Sequence, residues 1–110
     1  MKKILIISFL SLLLFGCSSK TDKIKELMNE NTYIIVDVRT NEEYNESHLI
    51  DAINIPYNEI DETTNLDKEK LIFVYCKSGN RSSIAYNKLT NLGYNVYDMG
   101  AYEKIDLPKE

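Results

Sequence analysis

The sequence predicts an α/β fold in which helices cover both faces of a central, mainly parallel sheet. Three observations lead there. Short β-branched runs alternate with helix-patterned segments along the chain. The most apolar run beyond the N-terminal stretch, Leu71-Ile72-Phe73-Val74-Tyr75, lacks polar alternation, as a strand buried on both faces does. A polar, glycine-containing loop then joins that run directly to a helical pattern, the arrangement that places ligands at the carboxyl end of an open sheet.

Taken in order, the chain of 110 residues begins outside that domain. Met1-Lys2-Lys3 is a short positive segment and Ile4 to Phe15 is almost uninterrupted apolar sequence. The run falls short of the ~20 residues a spanning helix needs, so it reads as the core of a signal peptide. Leu14-Phe15-Gly16-Cys17 follows the pattern of a bacterial lipoprotein signal, with a small residue ahead of the cysteine that takes the lipid. The expectation is therefore a signal peptide over residues 1–16, a lipidated Cys17 and tether over 17–22, and one domain over 23–110. The protein would be anchored to a bacterial membrane on its extracytoplasmic or periplasmic side.

Within the domain, Thr21 or Asp22 caps a helix reaching about Met28. Tyr33-Ile34-Ile35-Val36 reads as a buried strand ending at Asp37, and Asn41 caps a short helix through Tyr44. Ala52 to Ile55 is a further short strand stopped by Pro56. The acidic segment from Asn58 to Lys70 is weakly patterned and reads as a solvated connection. After the central strand and its loop, a helix runs from Ser82 to Leu92 with Ala85, Leu89 and Leu92 on its buried stripe, and Gly93 ends it. Asn95 to Asp98 is the last strand, and Gly100 turns the chain into a short tail.

Composition bounds the function. The formal net charge is −4, and it becomes more negative once Lys2 and Lys3 are removed. An acidic surface without a basic run argues against nucleic acid as a partner. There are two cysteines, and lipidation of Cys17 leaves Cys76 without an internal disulfide partner. A lone thiol in an oxidising compartment points to a reactive role.

The surroundings of Cys76 support one. Cys76-Lys77-Ser78-Gly79-Asn80-Arg81-Ser82 links strand to helix, so loop N–H groups and the positive end of the helix converge on an anion site. That field favours the thiolate, making Cys76 the candidate nucleophile without a general base. Gly79 frees the backbone for a tight ring. Arg81 clamps the loop and offers a planar donor fork to an oxyanion, while Lys77 adds a second positive charge at the mouth.

These residues resemble the single-domain rhodaneses, thiosulfate sulfurtransferase-like proteins, from about Lys23 to Pro108. The likeness rests on Asp37-Val38-Arg39 with Glu43-Tyr44 behind it, on His48 to Pro56, on Cys76-x-x-Gly79-x-Arg81-Ser82, on Leu92-Gly93-Tyr94 with Gly100-Ala101, and on Leu107-Pro108. Ser47, Ile50 and Asp51 replace a Gly, a Pro and a Gly common in that family, and Ile105 stands where tryptophan is frequent.

The resemblance implies a rhodanese-like fold and a persulfide mechanism, in which Cys76 takes sulfur from a small anionic donor such as thiosulfate and yields it to a thiol or cyanide. Residues 77–82 would bind the donor, with no metal and no organic cofactor, in a monomer. It also implies structural roles for Asp37, Arg39 and His48. Two other readings stay open: a persulfide carrier or binding module without turnover, and a cysteine phosphatase. Phosphatases of related folds place five residues between cysteine and arginine, whereas only four separate Cys76 from Arg81.

Overall fold

The computed structural model describes residues 20–110, so the expected signal peptide and Cys17 lie outside the described residues. Helix α1 (Lys20–Glu30) leads into strand β1 (Tyr33–Asp37), and part of the expected tether, Lys20 to Asp22, is already helical. Next come α2 (Asn41–Glu46), β2 (Ile53–Asn54) and a 3-10 turn over Tyr57–Glu59. Strand β3 (Leu71–Cys76), helix α3 (Asn80–Asn91), strand β4 (Asn95–Ala101) and a second 3-10 turn (Tyr102–Lys104) complete the order. The four strands lie in the order β2-β1-β3-β4 and every pairing between them is parallel. Among the described residues no helix is long and apolar enough to cross a membrane.

Strand alternation divides the interior in two. Ile72, Val74 and Cys76 project to one face, where they pack with Val36, Val38, Ala85 and Leu89 beneath α3. Phe73 and Tyr75 project to the other, against Ile24 of α1, Leu49, Met99 and Ile105. Both faces are thus covered, as the continuous apolar β3 requires. Ile105, in the position of the family's frequent tryptophan, is 2% exposed and belongs to this second core. Between the 3-10 turn and β3 the acidic connection is mostly exposed, but Ile60 is buried in the first core and Leu66 packs against it. Tyr94 Oη accepts from Leu66 N and donates to Thr64 O.

Several boundaries differ from the sequence reading for local reasons. The cap of α2 is Thr40 rather than Asn41, because Thr40 and Glu43 form a reciprocal capping box. Helix α3 starts at Asn80, two residues before Ser82, since Gly79 is its N-cap. Strand β4 runs past Asp98 to Ala101 through a bulge opposite Val74 and Tyr75. Gly100 takes φ +82° there, and its N–H bonds Asp98 Oδ1 at 2.9 Å. Only Ile53 and Asn54 of the segment from Ala52 to Ile55 pair as strand.

Candidate active site

Cys76 is the last residue of β3 and sits at the carboxyl edge of the sheet with its side chain turned toward α3. It is fully buried. The chain then crosses over the sulfur through Lys77 and Ser78 and enters α3 at Gly79, whose φ of +104° is left-handed. That conformation directs the Gly79 N–H onto Cys76 Sγ at 2.9 Å. The thiol lies 3.5 Å from Ser82 Oγ as donor, and the Ser82 hydroxyl donates to Gly79 O at 3.1 Å. Sulfur, loop and first turn of α3 are therefore one hydrogen-bonded ring, with the positive end of a 12-residue helix at its rim.

Arg81 leaves this ring on its outer side. Its Nη1 and Nη2 donate to Glu43 Oε1 and Oε2 at 2.8 and 3.1 Å, a two-pronged pair in which each side chain is 25% exposed. Glu43 also accepts from Thr40 N and Thr40 Oγ1 at 3.0 and 3.1 Å. Its carboxyl is held down at about 2, chiefly by the Arg81 hydrogen bond and against the opposing effect of burial. The Arg81 guanidinium is held above its ordinary value by Glu43 first, with a smaller contribution from charge on Cys76. Lys77, Ser78 and Asn80 are exposed around the mouth. A cavity of about 230 Å³ opens beside Lys77 and is bordered by Glu43, Ser47 and Tyr102.

Comparison with known proteins agrees with this geometry. The family description "Rhodanese-like domain" matches residues 20–106. The chain belongs to the rhodanese-like domain family. Thiosulfate sulfurtransferase PspE of Escherichia coli is 38% identical over 78 residues, which is 67% of this chain and 75% of that protein. A solved rhodanese with anions from E. coli superposes with a TM-score of 0.66 at 36% identity, over 72% of this chain and 98% of that one. Adenylyltransferase and sulfurtransferase uba4 of Ogataea parapolymorpha is 38% identical over 73 residues, 64% of this chain, but the chain spans only 19% of its length. The domain is homologous to thiosulfate sulfurtransferases.

The rhodanese-like frame explains the remaining motif residues. Asp37 and Arg39 are buried at 0% and 6% exposure and face each other, with Arg39 Nη2 2.6 Å from Asp37 Oδ2. Tyr75 Oη donates to Asp37 Oδ2 at 2.8 Å and accepts from Leu49 N at 3.1 Å. Burial is the main reason the Tyr75 hydroxyl is pushed far up. Arg39 donates to Ser47 O and stacks over Tyr102 at 4.3 Å. His48 stacks on Tyr44 at 3.8 Å, with Nδ1 on Tyr44 O and Nε2 on Glu110. These three residues tie sheet, turn and tail together, and none of their hydrogen bonds goes to Cys76. The turn that carries Ser47, Ile50 and Asp51 still contains a left-handed residue, because Asp51 takes φ 72° where the family has glycine.

Two site residues went unnoticed in the sequence. Glu43 as the partner of Arg81 is one; the Thr40-x-x-Glu43 spacing signals its capping role but not its reach across 38 positions. Tyr75 is the other, read as one more apolar strand residue although its hydroxyl closes the Asp37 network.

Proposed function

We propose that this domain moves sulfane sulfur from thiosulfate, or a similar small anionic donor, to a thiophilic acceptor through a persulfide on Cys76. The observation that carries it is the Gly79 N–H held 2.9 Å from the Cys76 sulfur at the N-terminus of α3. A donor pointed at that position stabilises a thiolate before reaction and a negatively charged outer sulfur after it. The thiolate attacks the outer sulfur of thiosulfate, the S–S bond to the sulfonate breaks, and sulfite departs with the electron pair. An acceptor thiolate or cyanide then attacks the outer sulfur of the Cys76 persulfide, and the Cys76 thiolate leaves. Neither half-reaction needs an oxidant or a further cofactor. The solved E. coli rhodanese is described with anions, in keeping with an anionic donor here.

Intact-mass measurement after thiosulfate exposure tests this. Wild-type protein gains one sulfur, discharges it to cyanide or a thiol, and repeats the cycle; Cys76→Ser gains none. Loading in the serine variant overturns the mechanism, and one discharge without further turnover makes the domain a carrier. A phosphatase would instead need a ring for a tetrahedral phosphoryl group, and the four residues between Cys76 and Arg81 argue for the smaller ligand.

The same proposal places the domain at the extracytoplasmic face of a bacterial membrane, held by lipid on Cys17. Its support is the apolar run from Ile4 to Phe15 followed by Gly16-Cys17. Cys17→Ala then moves the protein from the membrane fraction to the soluble fraction or leaves the precursor unprocessed. Unchanged fractionation and processing refute the anchor.

A further inference from the structure

Arg81, the side chain the sequence offers to a donor anion, has its two-pronged end turned onto Glu43. Both terminal nitrogens lie on Glu43, and the Glu43 carboxylate is itself fixed by the Thr40 backbone and hydroxyl. A bidentate guanidinium–carboxylate pair cancels most of its own field at a distance, so it adds little net attraction for a dianion. What it does supply is geometry. The pair spans from the first turn of α3 to the first turn of α2, and so joins the loop over Cys76 to a second, independently capped helix. Lys77 differs. It is exposed and has no ion-pair partner among the described residues. It lines the cavity beside the loop together with Arg39 and the carboxylates of Glu43, Glu46 and Glu103, of which Arg39 is paired with Asp37 and Glu43 with Arg81.

We propose that Glu43 is a positioning residue of the sulfur-transfer site: it occupies the Arg81 fork, making Arg81 a brace for the loop and leaving Lys77 and the loop N–H groups to receive the donor's charge. The inference rests on the persulfide reading above and refines it. A brace acts on how well the Gly79 N–H is aimed at the sulfur, which affects the chemical step. A free cation at the mouth acts on donor capture.

Thiosulfate kinetics of three single variants and one double variant separate the roles. Arg81→Lys keeps the charge and loses the two-pronged geometry, so the rate of persulfide formation falls by about tenfold or more while KM stays within about twofold. Glu43→Gln keeps the capping box but weakens the pair, so it lowers the same rate, and the double variant is little worse than either single one. Lys77→Gln raises the thiosulfate KM several-fold with a nearly unchanged rate, and added salt shrinks that difference.

The proposal is overturned if Arg81→Lys loads sulfur as fast as wild type. It is equally overturned if Glu43→Gln lowers the thiosulfate KM, the signature of a guanidinium released to the donor. Intact mass on the wild type is run alongside: a domain that never takes sulfur refutes both readings, whereas one that loads normally beside an equally fast Arg81→Lys refutes this one alone.

Discussion

At Gly79 the demands of backbone and chemistry coincide. A Cβ built there would meet nothing within 4 Å, so space does not explain the glycine; its φ of +104° does. Gly79→Ala would have to hold an L side chain in that conformation at a cost of about 1–2 kcal/mol, or rotate the peptide out of it. Rotation turns the Gly79 N–H away from Cys76 Sγ, whereas holding the conformation keeps the bond at the cost of strain. The expected outcome is a melting temperature lower by several degrees and sulfur loading slower by about tenfold or more, read by calorimetry and by timed intact mass. Loading at the wild-type rate with an unchanged melting temperature, so that no strain is borne in holding the old conformation, would mean that this N–H does not stabilise the reacting sulfur.

Short elements set the acid limit of the site. Helix α2 has six residues and buries none of them, so its first turn depends on the Thr40–Glu43 capping box. The same carboxylate holds Arg81, and its depressed value near 2 ties the brace to pH. A carboxyl whose folded value lies below its ordinary 4.5 stabilises the fold fully above 4.5, and that stabilisation drains away as pH falls toward 2. With water reaching a quarter of each partner, the loss is on the order of 1–2 kcal/mol over that interval. Denaturant unfolding at stepped pH is expected to show this slope in wild type and a flatter one in Glu43→Gln; parallel slopes would assign the acid limb to other groups. How much of this was legible follows from range. The thiol loop, its glycine and the buried β3 lie within a few residues of one another, so composition and periodicity revealed them. The Arg81–Glu43 pair bridges 38 positions and the β4 bulge depends on pairing with β3, so both exist only once the sheet has formed.

At the scale of the whole molecule, the two faces of the sheet separate stability from chemistry. Tyr75 and Cys76 are neighbours in β3, yet one points to the Asp37–Arg39 network and the other to the loop. That network joins β1, β3 and the turn near Leu49, and the tail closes over the same turn through mutual backbone bonds between His48 and Glu110 at 3.0 and 2.9 Å. A buried ion pair of this kind adds little over an apolar substitute, but removing one partner strands the other charge at a cost of about 3 kcal/mol or more. Asp37→Asn is therefore expected to lower the melting temperature by more than about 10 °C. Because none of the Asp37–Arg39 hydrogen bonds reaches Cys76, kcat measured well below that transition should stay within about threefold of wild type. Any effect of Arg39, which borders the cavity beside Lys77, falls on KM. A larger loss of kcat in folded Asp37→Asn protein would show that the network reaches through β3 to set the position of Cys76.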